Sequence, residues 1–515
     1  MKRPDWALPF VSALAPVLAL YANNSGQARL SETLAPMAVL VVLTALLFPL
    51  AARVFRSRLR GAVVLSLFWI VLFSYGHAAS LMGRFVIAGH NLANYKLLLP
   101  LVGVAGVLAA LAIRRARNEP RTLAGVLWIV SIVLLATSVV TAVRFQLSRP
   151  RMSAPASSAL PDERIAAGTI LRKPDIYYFI FDRYGSAPTL RTQFDWDNRP
   201  FLDSLRTQGF VIDDEARANY LVTAQSLASS LNLTHITGLT QVAGATSTDW
   251  VPVFDLIKDN RLTAFLKSIG YRYVHLGPDW APTATNPRAD ATYNYRVLPE
   301  FSMMLLSTTA VYPVLYRMGV NNPDLEKYRR INHQLEAMRQ IPAREQGPKF
   351  VFAHMLLPHG PYVFNRDGSF RSVLGAGPET ERADYREQVM FLNGKLLEVA
   401  AVIRAAYPAD AQPVIVFQGD EGPYPPRTQP HSFVWTEATD AEINEKMRIL
   451  NAVYAPGCEA LLRPGMTPVN TFRVVFNHFF GTGLAELPDH SYTYRDLKHL
   501  YDFVDVTERI DRFAH

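Results

Sequence analysis

The sequence predicts a two-part protein: an N-terminal transmembrane domain of five helices, then an α/β extracytoplasmic domain with a mostly parallel sheet flanked by helices. Three observations predict it. Residues 1–145 carry long apolar runs, whereas the rest of the 515 residues have the mix of a globular protein. Two apolar runs in that second part, Asp175-Ile-Tyr-Tyr-Phe-Ile-Phe-Asp182 and Pro413-Val-Ile-Val-Phe417, are followed by carboxylates and glycines, as buried strands of a parallel sheet are when they feed a site. Strand-like and helix-like segments then alternate to the end of the domain, the pattern of a sheet covered on both faces.

The membrane half follows from length. A bilayer core takes about 20 apolar residues, and five stretches suffice: Trp6–Tyr21, Thr33–Ala52, Gly61–Met82, Lys96–Ile113 and Thr122–Val143. The first lacks a small-residue cleavage site and is followed by four more, so it reads as a span and not a signal peptide. One set of loops collects Lys2, Arg3, Arg53, Arg56, Arg58, Arg60, Arg114, Arg115, Arg117 and Arg121, while the other has only Arg29, Arg84 and Lys96. The positive-inside rule puts the N-terminus in the cytoplasm and everything after Val143 outside, in the periplasm where there is an outer membrane. His77 and Arg84 sit near the outer end of the third span, where an ionisable group is either functional or an interfacial anchor. The formal net charge of +8 resides largely in these arginine loops, so it speaks of membrane orientation and not of nucleic acid. The one cysteine, Cys458, excludes an intrachain disulfide and a cysteine metal cluster.

Residues 146–172, rich in Ser, Pro, Ala and Arg, read as a tether. Residues 173–485 form the catalytic domain. Its expected elements are strands 175–182, 210–212, 271–276, 349–356, 413–417 and 449–454, and helices 200–208, 223–235, 261–269, 325–339, 382–406 and 469–480. Residues 486–515 are polar and read as an appended cap.

If the two carboxylate-terminated strands are neighbours, Asp182, Asp420 and Glu421 converge at one sheet edge and call for a cation. Thr223 to Ser226 open a helix, whose free N–H groups and positive dipole end suit a phosphate or sulfate. Thr223 is then either a helix cap or a nucleophile activated by the cation. His354 follows Phe350-Val-Phe-Ala353 and reads as a core histidine. His359 sits in a proline-flanked loop with no core to fill and reads as functional. Arg448 reads as a packed arginine, and His235 as too far along its helix to reach the site.

In that order, Asp182, Thr223-Ala-Gln-Ser226, Pro358-His359-Gly360-Pro361, Gly419-Asp420-Glu421-Gly422 and His431 resemble the motifs of the alkaline phosphatase superfamily, in particular its sulfatase-like branch. With five spans in front, the chain resembles the phosphoethanolamine transferases that modify lipid A and the lipoteichoic acid synthases. The resemblance covers the whole architecture and, in motif, about 175–460. It implies that Asp182, Thr223, Asp420 and Glu421 hold a metal and that Thr223 is the nucleophile. His359 and His431 then handle the leaving oxygen, and Arg183, Ser226 and His359 contact the substrate. Two positions depart from the pattern: Glu421 stands where this branch has His or Asn, and Arg183 where sulfatases have a second Asp. Three carboxylates and a hydroxyl favour Mg or Mn, with Zn or Ca as alternatives. Sulfatase activity itself needs a Cys or Ser that becomes formylglycine, with Pro and Arg two and four residues later. Thr223 is followed at those offsets by Gln225 and Leu227.

The expected function is a metal-dependent transferase at the bacterial inner membrane. It moves a phospho-alcohol headgroup from a membrane phospholipid to a cell-envelope glycan or lipid through a phospho-threonine. The alternatives are a membrane-anchored phosphodiesterase that uses water as acceptor, and a degenerate domain that only binds envelope material. Nucleic acid is not an expected partner.

Overall fold

The computed structural model describes residues 5–83, 85–87, 90–148, 155–295, 298–320, 322–372, 380–429 and 432–512. His431, Arg84, Lys2 and Arg3 lie outside the described residues. The chain forms two compact units: Met1–Arg149 with Leu298–Asn322, and Pro150–Val297 with Pro323–His515.

In the first unit, five helices are long and apolar enough to cross a membrane: α1 (Leu8–Asn23), α2 (Leu34–Val54), α3 (Arg58–Met82), α4 (Tyr95–Arg115) and α5 (Arg121–Ser148). Their apolar residues divide into an inward set, such as Ala13, Val17, Val63 and Trp69, and a broadly exposed set, such as Leu46, Leu101 and Val133. An exposed apolar girdle is what a lipid solvent demands. The arginine loops meet: Arg60 donates to the Ala116 carbonyl at 2.7 Å, beyond the last turn of α4. Ser57 caps α3 by accepting from the Arg60 N–H.

In the second unit, seven strands make one sheet: β1 (Ile176–Phe181), β2 (Val211–Ile212), β3 (Arg272–Leu276), β4 (Ala291–Thr292), β5 (Lys349–Met355), β6 (Val414–Gly419) and β7 (Asn451–Tyr454). The spatial order is β2-β7-β6-β1-β5-β3-β4. The strands from β6 to β4 are mutually parallel, and β7 pairs antiparallel with both β6 and edge strand β2. The sheet is therefore mixed and mostly parallel, as the alternation of elements predicts.

Central strand β1 is buried on both faces, which explains its unbroken apolar run. Ile176, Tyr178 and Ile180 pack on one face with α6 (Thr223–Asn232). Tyr177, Phe179 and Phe181 pack on the other with α9 (Pro323–Arg344) and α10 (Glu381–Ala405). Helix α7 (Glu300–Ser307) and helix α8 (Tyr312–Arg317) lie between and belong to the first unit. Helices α11 (Asp440–Met447) and α12 (Pro468–Phe480) also belong to the second.

Two segments differ from the sequence reading. Residues 156–172 are no free tether: Ala156 and Leu160 are buried, and the N–H groups of Gly168 and Leu171 donate to the carbonyls of Phe480 and Phe479 at 2.9 Å each. The last stretch, expected as an appended cap, packs into the domain. Strands β8 (Tyr492–Tyr494) and β9 (Phe503–Asp505) form a hairpin, and Leu500, Tyr501, Val506 and Ile510 are buried in the main core. In both cases a few apolar side chains in a polar run suffice to dock it.

Candidate metal centre

Strand register builds the site. Phe181 is level with Met355 on one side and Gly419 on the other, so the next residues, Asp182 and Asp420, emerge side by side. His354 is level with Ile180. Side chains alternate along a strand, so Ile180, Asp182, His354 and Asp420 share the sheet face that carries α6.

On that face, one donor atom each from Asp182, His354 and Asp420 lie within 4.8 Å of one another, and all three residues are buried. Each presents an atom without a hydrogen-bond partner: Asp182 Oδ1, Asp420 Oδ2 and His354 Nε2. The other ends of Asp420 and His354 are held. Asp420 Oδ1 accepts from the N–H groups of Arg183 (3.0 Å) and Glu421 (2.8 Å). His354 Nδ1 and the Thr283 hydroxyl lie 2.8 Å apart, and this contact orients the ring. Burial, reinforced by the charges of Asp420 and Glu421, pushes the Asp182 carboxyl well above its ordinary range. Burial and Glu421 push Asp420 up to about 7. Burial pushes His354 down to about 3, which keeps the imidazole neutral and its nitrogen lone pair available. Two carboxylates, each with an unpartnered oxygen, and a neutral imidazole within 4.8 Å of one another fit a divalent cation.

Thr223 is the first residue of α6, and no side chain caps that helix from the N-cap position, Val222. The capping reading of Thr223 therefore does not hold. The cap is supplied from another segment: Glu421 Oε2 accepts from the Thr223 N–H at 2.9 Å, a carboxylate at the positive end of the helix dipole. The Thr223 hydroxyl lies beside Asp420, where its hydrogen bonding favours the ionised carboxylate. Ser226 is buried one turn further along, inside the helix.

Glu421, expected among the metal ligands, is engaged in ion pairs. Its Oε1 lies 2.8 Å from Lys446 Nζ and 3.1 Å from Arg183 Nε, and both Lys446 and Glu421 are buried. Both cations also sit over the Tyr424 ring, Lys446 at 3.6 Å and Arg183 at 4.4 Å from its centroid. Arg183 adopts a left-handed backbone with φ of 64°, uncommon for a residue other than glycine, and this turns the chain sharply after Asp182. Gly422 is required for the same packing. A Cβ there would lie 2.4 Å from the Glu445 carbonyl and 2.8 Å from that of Arg448.

His359 borders the centre through its backbone, its N–H donating to the Asp182 carbonyl at 3.0 Å. Lys327 and Gln388 hold the His359 carbonyl. Burial, then the positive charges of Arg183 and Lys327, push its imidazole well below the ordinary range. Burial also pushes Lys327 down to about 7. Arg448 is packed, paired with Glu215 at 2.9 Å. His235 lies beyond the end of α6, not along it as expected, and packs against Pro488 and Tyr492.

The chain is similar to phosphoethanolamine transferases and sulfatases of solved structure. The C-terminal periplasmic domain of EcEptC from Escherichia coli matches at 12% identity and a TM-score of 0.43, over 68% of this chain and 96% of that one. The integral membrane protein lipooligosaccharide phosphoethanolamine transferase A from Neisseria meningitidis matches at 11% identity and a TM-score of 0.36, over 87% of this chain and 88% of that one. A putative sulfatase from Bacteroides thetaiotaomicron matches at 14% and 0.37, over 64% and 75%. No protein-family model and no curated protein matches the sequence. At such identities the chemistry rests on this chain's own residues.

Sequence reasoning did not find His354 as a candidate ligand, nor Lys446, Thr283 and Lys327 around it. A histidine at the end of an all-apolar strand reads as core, and it is buried. Only the neighbouring strands show that its free nitrogen points at two aspartates.

Proposed function

We propose that this chain is a membrane-bound, metal-dependent enzyme that moves a phospho-alcohol headgroup, of phosphoethanolamine or phosphoglycerol type, from a lipid donor to a cell-envelope acceptor. The observation that carries the reading is the set of three buried, unpartnered donor atoms of Asp182, Asp420 and His354 beside the hydroxyl of Thr223 at a helix N-terminus. The five membrane-length helices and the arginine loops support a place in the inner membrane with the second unit outside the cytoplasm.

When bound by Asp182, Asp420 and His354, a divalent cation supplies a lowered pKa for the Thr223 hydroxyl and charge neutralisation for the phosphoryl group. The mixed oxygen and nitrogen donor set suits zinc or manganese better than magnesium or calcium. Thr223 Oγ attacks phosphorus in line, and the ester bond to the donor's alcohol breaks. The threonine proton ends on the departing oxygen, and we assign the transfer to His359, whose depressed pKa makes its imidazolium a ready donor. The acceptor hydroxyl then attacks the phospho-threonine, and the same groups act in reverse. We assign to Arg183, more exposed than Lys446, the contact with a phosphate oxygen.

The test is mass spectrometry of the full chain in lipid nanodiscs, given a phospholipid donor but no acceptor. The transferred group should appear on the peptide that carries Thr223. Free headgroup phosphate without any adduct would support hydrolysis with water as acceptor. An adduct on another residue would sink the nucleophile assignment.

A further inference from the structure

Beyond residue 150, the described residues include eleven exposed large apolar side chains, and six of them fall in one short stretch: Leu298, Met304, Val311, Val314, Met318 and Val320. This stretch lies within Leu298–Asn322, which leaves the extracytoplasmic domain and joins the membrane unit. Only two of its residues are charged, Glu300 and Arg317. One face is committed to the helix bundle. Phe301 and Leu305, one turn apart on α7, are buried in the cluster that holds Tyr21, Leu40, Trp69 and Phe73. The backbone is joined directly to a spanning helix: the Ala310 N–H donates to the Leu72 carbonyl at 2.9 Å, and the Gly76 N–H to the Thr308 carbonyl at 2.8 Å. Gly76 is what permits this, since a Cβ there would lie 2.8 Å from Thr308 Cα.

Leu72 and Gly76 lie in the outer half of α3, counted from its arginine end. Leu72 is ten residues before Met82, or about 15 Å of helix. A segment seated at that depth must satisfy its own polar groups. It does: Ser307, Thr308 and Thr309 each donate their hydroxyl to the carbonyl three residues back, at 2.7, 2.8 and 2.6 Å. The opposite face is apolar. Val311, Val314 and Met318 form a stripe at helical spacing, Met318 being 70% exposed. Tyr312 and Tyr316 pack as a ring pair on the same helix, the residue type that collects at a membrane interface.

We propose that Leu298–Asn322 is a re-entrant strap whose outer face, Val311, Val314 and Met318, is immersed in the hydrocarbon of the outer leaflet. It gives the extracytoplasmic part of the chain a second membrane attachment besides the one after Ser148. The inference is independent of the reaction the metal centre carries out. Lipid is the occupant the structure favours, because this apolar face belongs to the same unit as the exposed apolar surface of the five spans, such as Leu101 at 63% and Val104 at 58%.

The experiment uses the full chain in nanodiscs, with Cys458→Ser and single cysteines at Val314, Met318, Val104 (span control) and Glu398 (water control), each carrying an environment-sensitive fluorophore. The strap probes should lose fluorescence to lipid-attached doxyl groups as the Val104 probe does, and resist aqueous iodide. Gly76→Val should then raise iodide access at 314 and 318 while leaving 104 unchanged. Quenching by iodide alone, like the Glu398 probe, would overturn the proposal. Shielding from both quenchers would overturn it as well, by showing that protein covers the face.

Discussion

A buried carboxylate oxygen without a partner is unfavourable, and Asp182 Oδ1 and Asp420 Oδ2 place two of them close together. A cation bound there would be held by side chains and not by the fold's packing. Asp182→Asn, Asp420→Asn and His354→Gln should therefore each lose the bound metal in elemental analysis while the far-UV spectrum stays native. Full metal occupancy in all three would place the site elsewhere. Thr283 acts one step removed, by orienting the His354 ring. Thr283→Val should weaken metal affinity about 10- to 100-fold, measured by competition with a chelator. Thr223 has a different signature, because its side chain does not cap its helix. Thr223→Ala should melt close to wild type yet lose at least about 10³-fold in turnover, and Thr223→Ser should retain part of the activity. Near-normal turnover in Thr223→Ala would end the covalent mechanism.

At the scale of elements, the site depends on the junction of β6, α6 and α11. Glu421 leaves the end of β6, caps α6 at Thr223, and meets Lys446 from the last turn of α11. The pair is fully buried, so the penalty for breaking it exceeds its worth when whole. Removing one partner of such a pair costs about 3–5 kcal/mol. Glu421→Gln and Lys446→Met should each lower the denaturation midpoint accordingly. The double variant should recover much of the loss, with the ion pair from Arg183 to Glu421 still missing. Additive losses in the double variant would mean that the two residues do not act as a pair.

At the scale of the whole molecule, the arginine loops decide which side of the membrane receives the metal centre. Arg53, Arg56, Arg58 and Arg60 border the ends of α2 and α3, and Arg114, Arg115, Arg117 and Arg121 border those of α4 and α5. A reporter active only outside the cytoplasm should work when fused after residue 150 and fail when fused after Arg58. The reverse pattern would put the centre in the cytoplasm and remove the case for an envelope acceptor.

Periodicity and composition, by themselves, determine the five membrane-length helices, the alternating strands and helices, and the strand ends at Asp182 and Asp420. These are local signals: an apolar run of a given length or period has few structures open to it. The convergence of the two aspartates was also legible, because parallel strands release their loops at one edge. What no local signal carries is the partner of each side chain. Lys446 lies 25 positions after Glu421 in sequence, yet tertiary packing pairs them and takes Glu421 out of the free donor set. His354 and Thr283 meet only because β5 lies between β1 and β3 in the sheet. The stretch Leu298–Asn322 carries no expected element in the sequence, and only the backbone bonds to α3 reveal it. Sequence sets which groups are available, and long-range contacts, through burial and the charges they bring together, decide which of them remain unpaired.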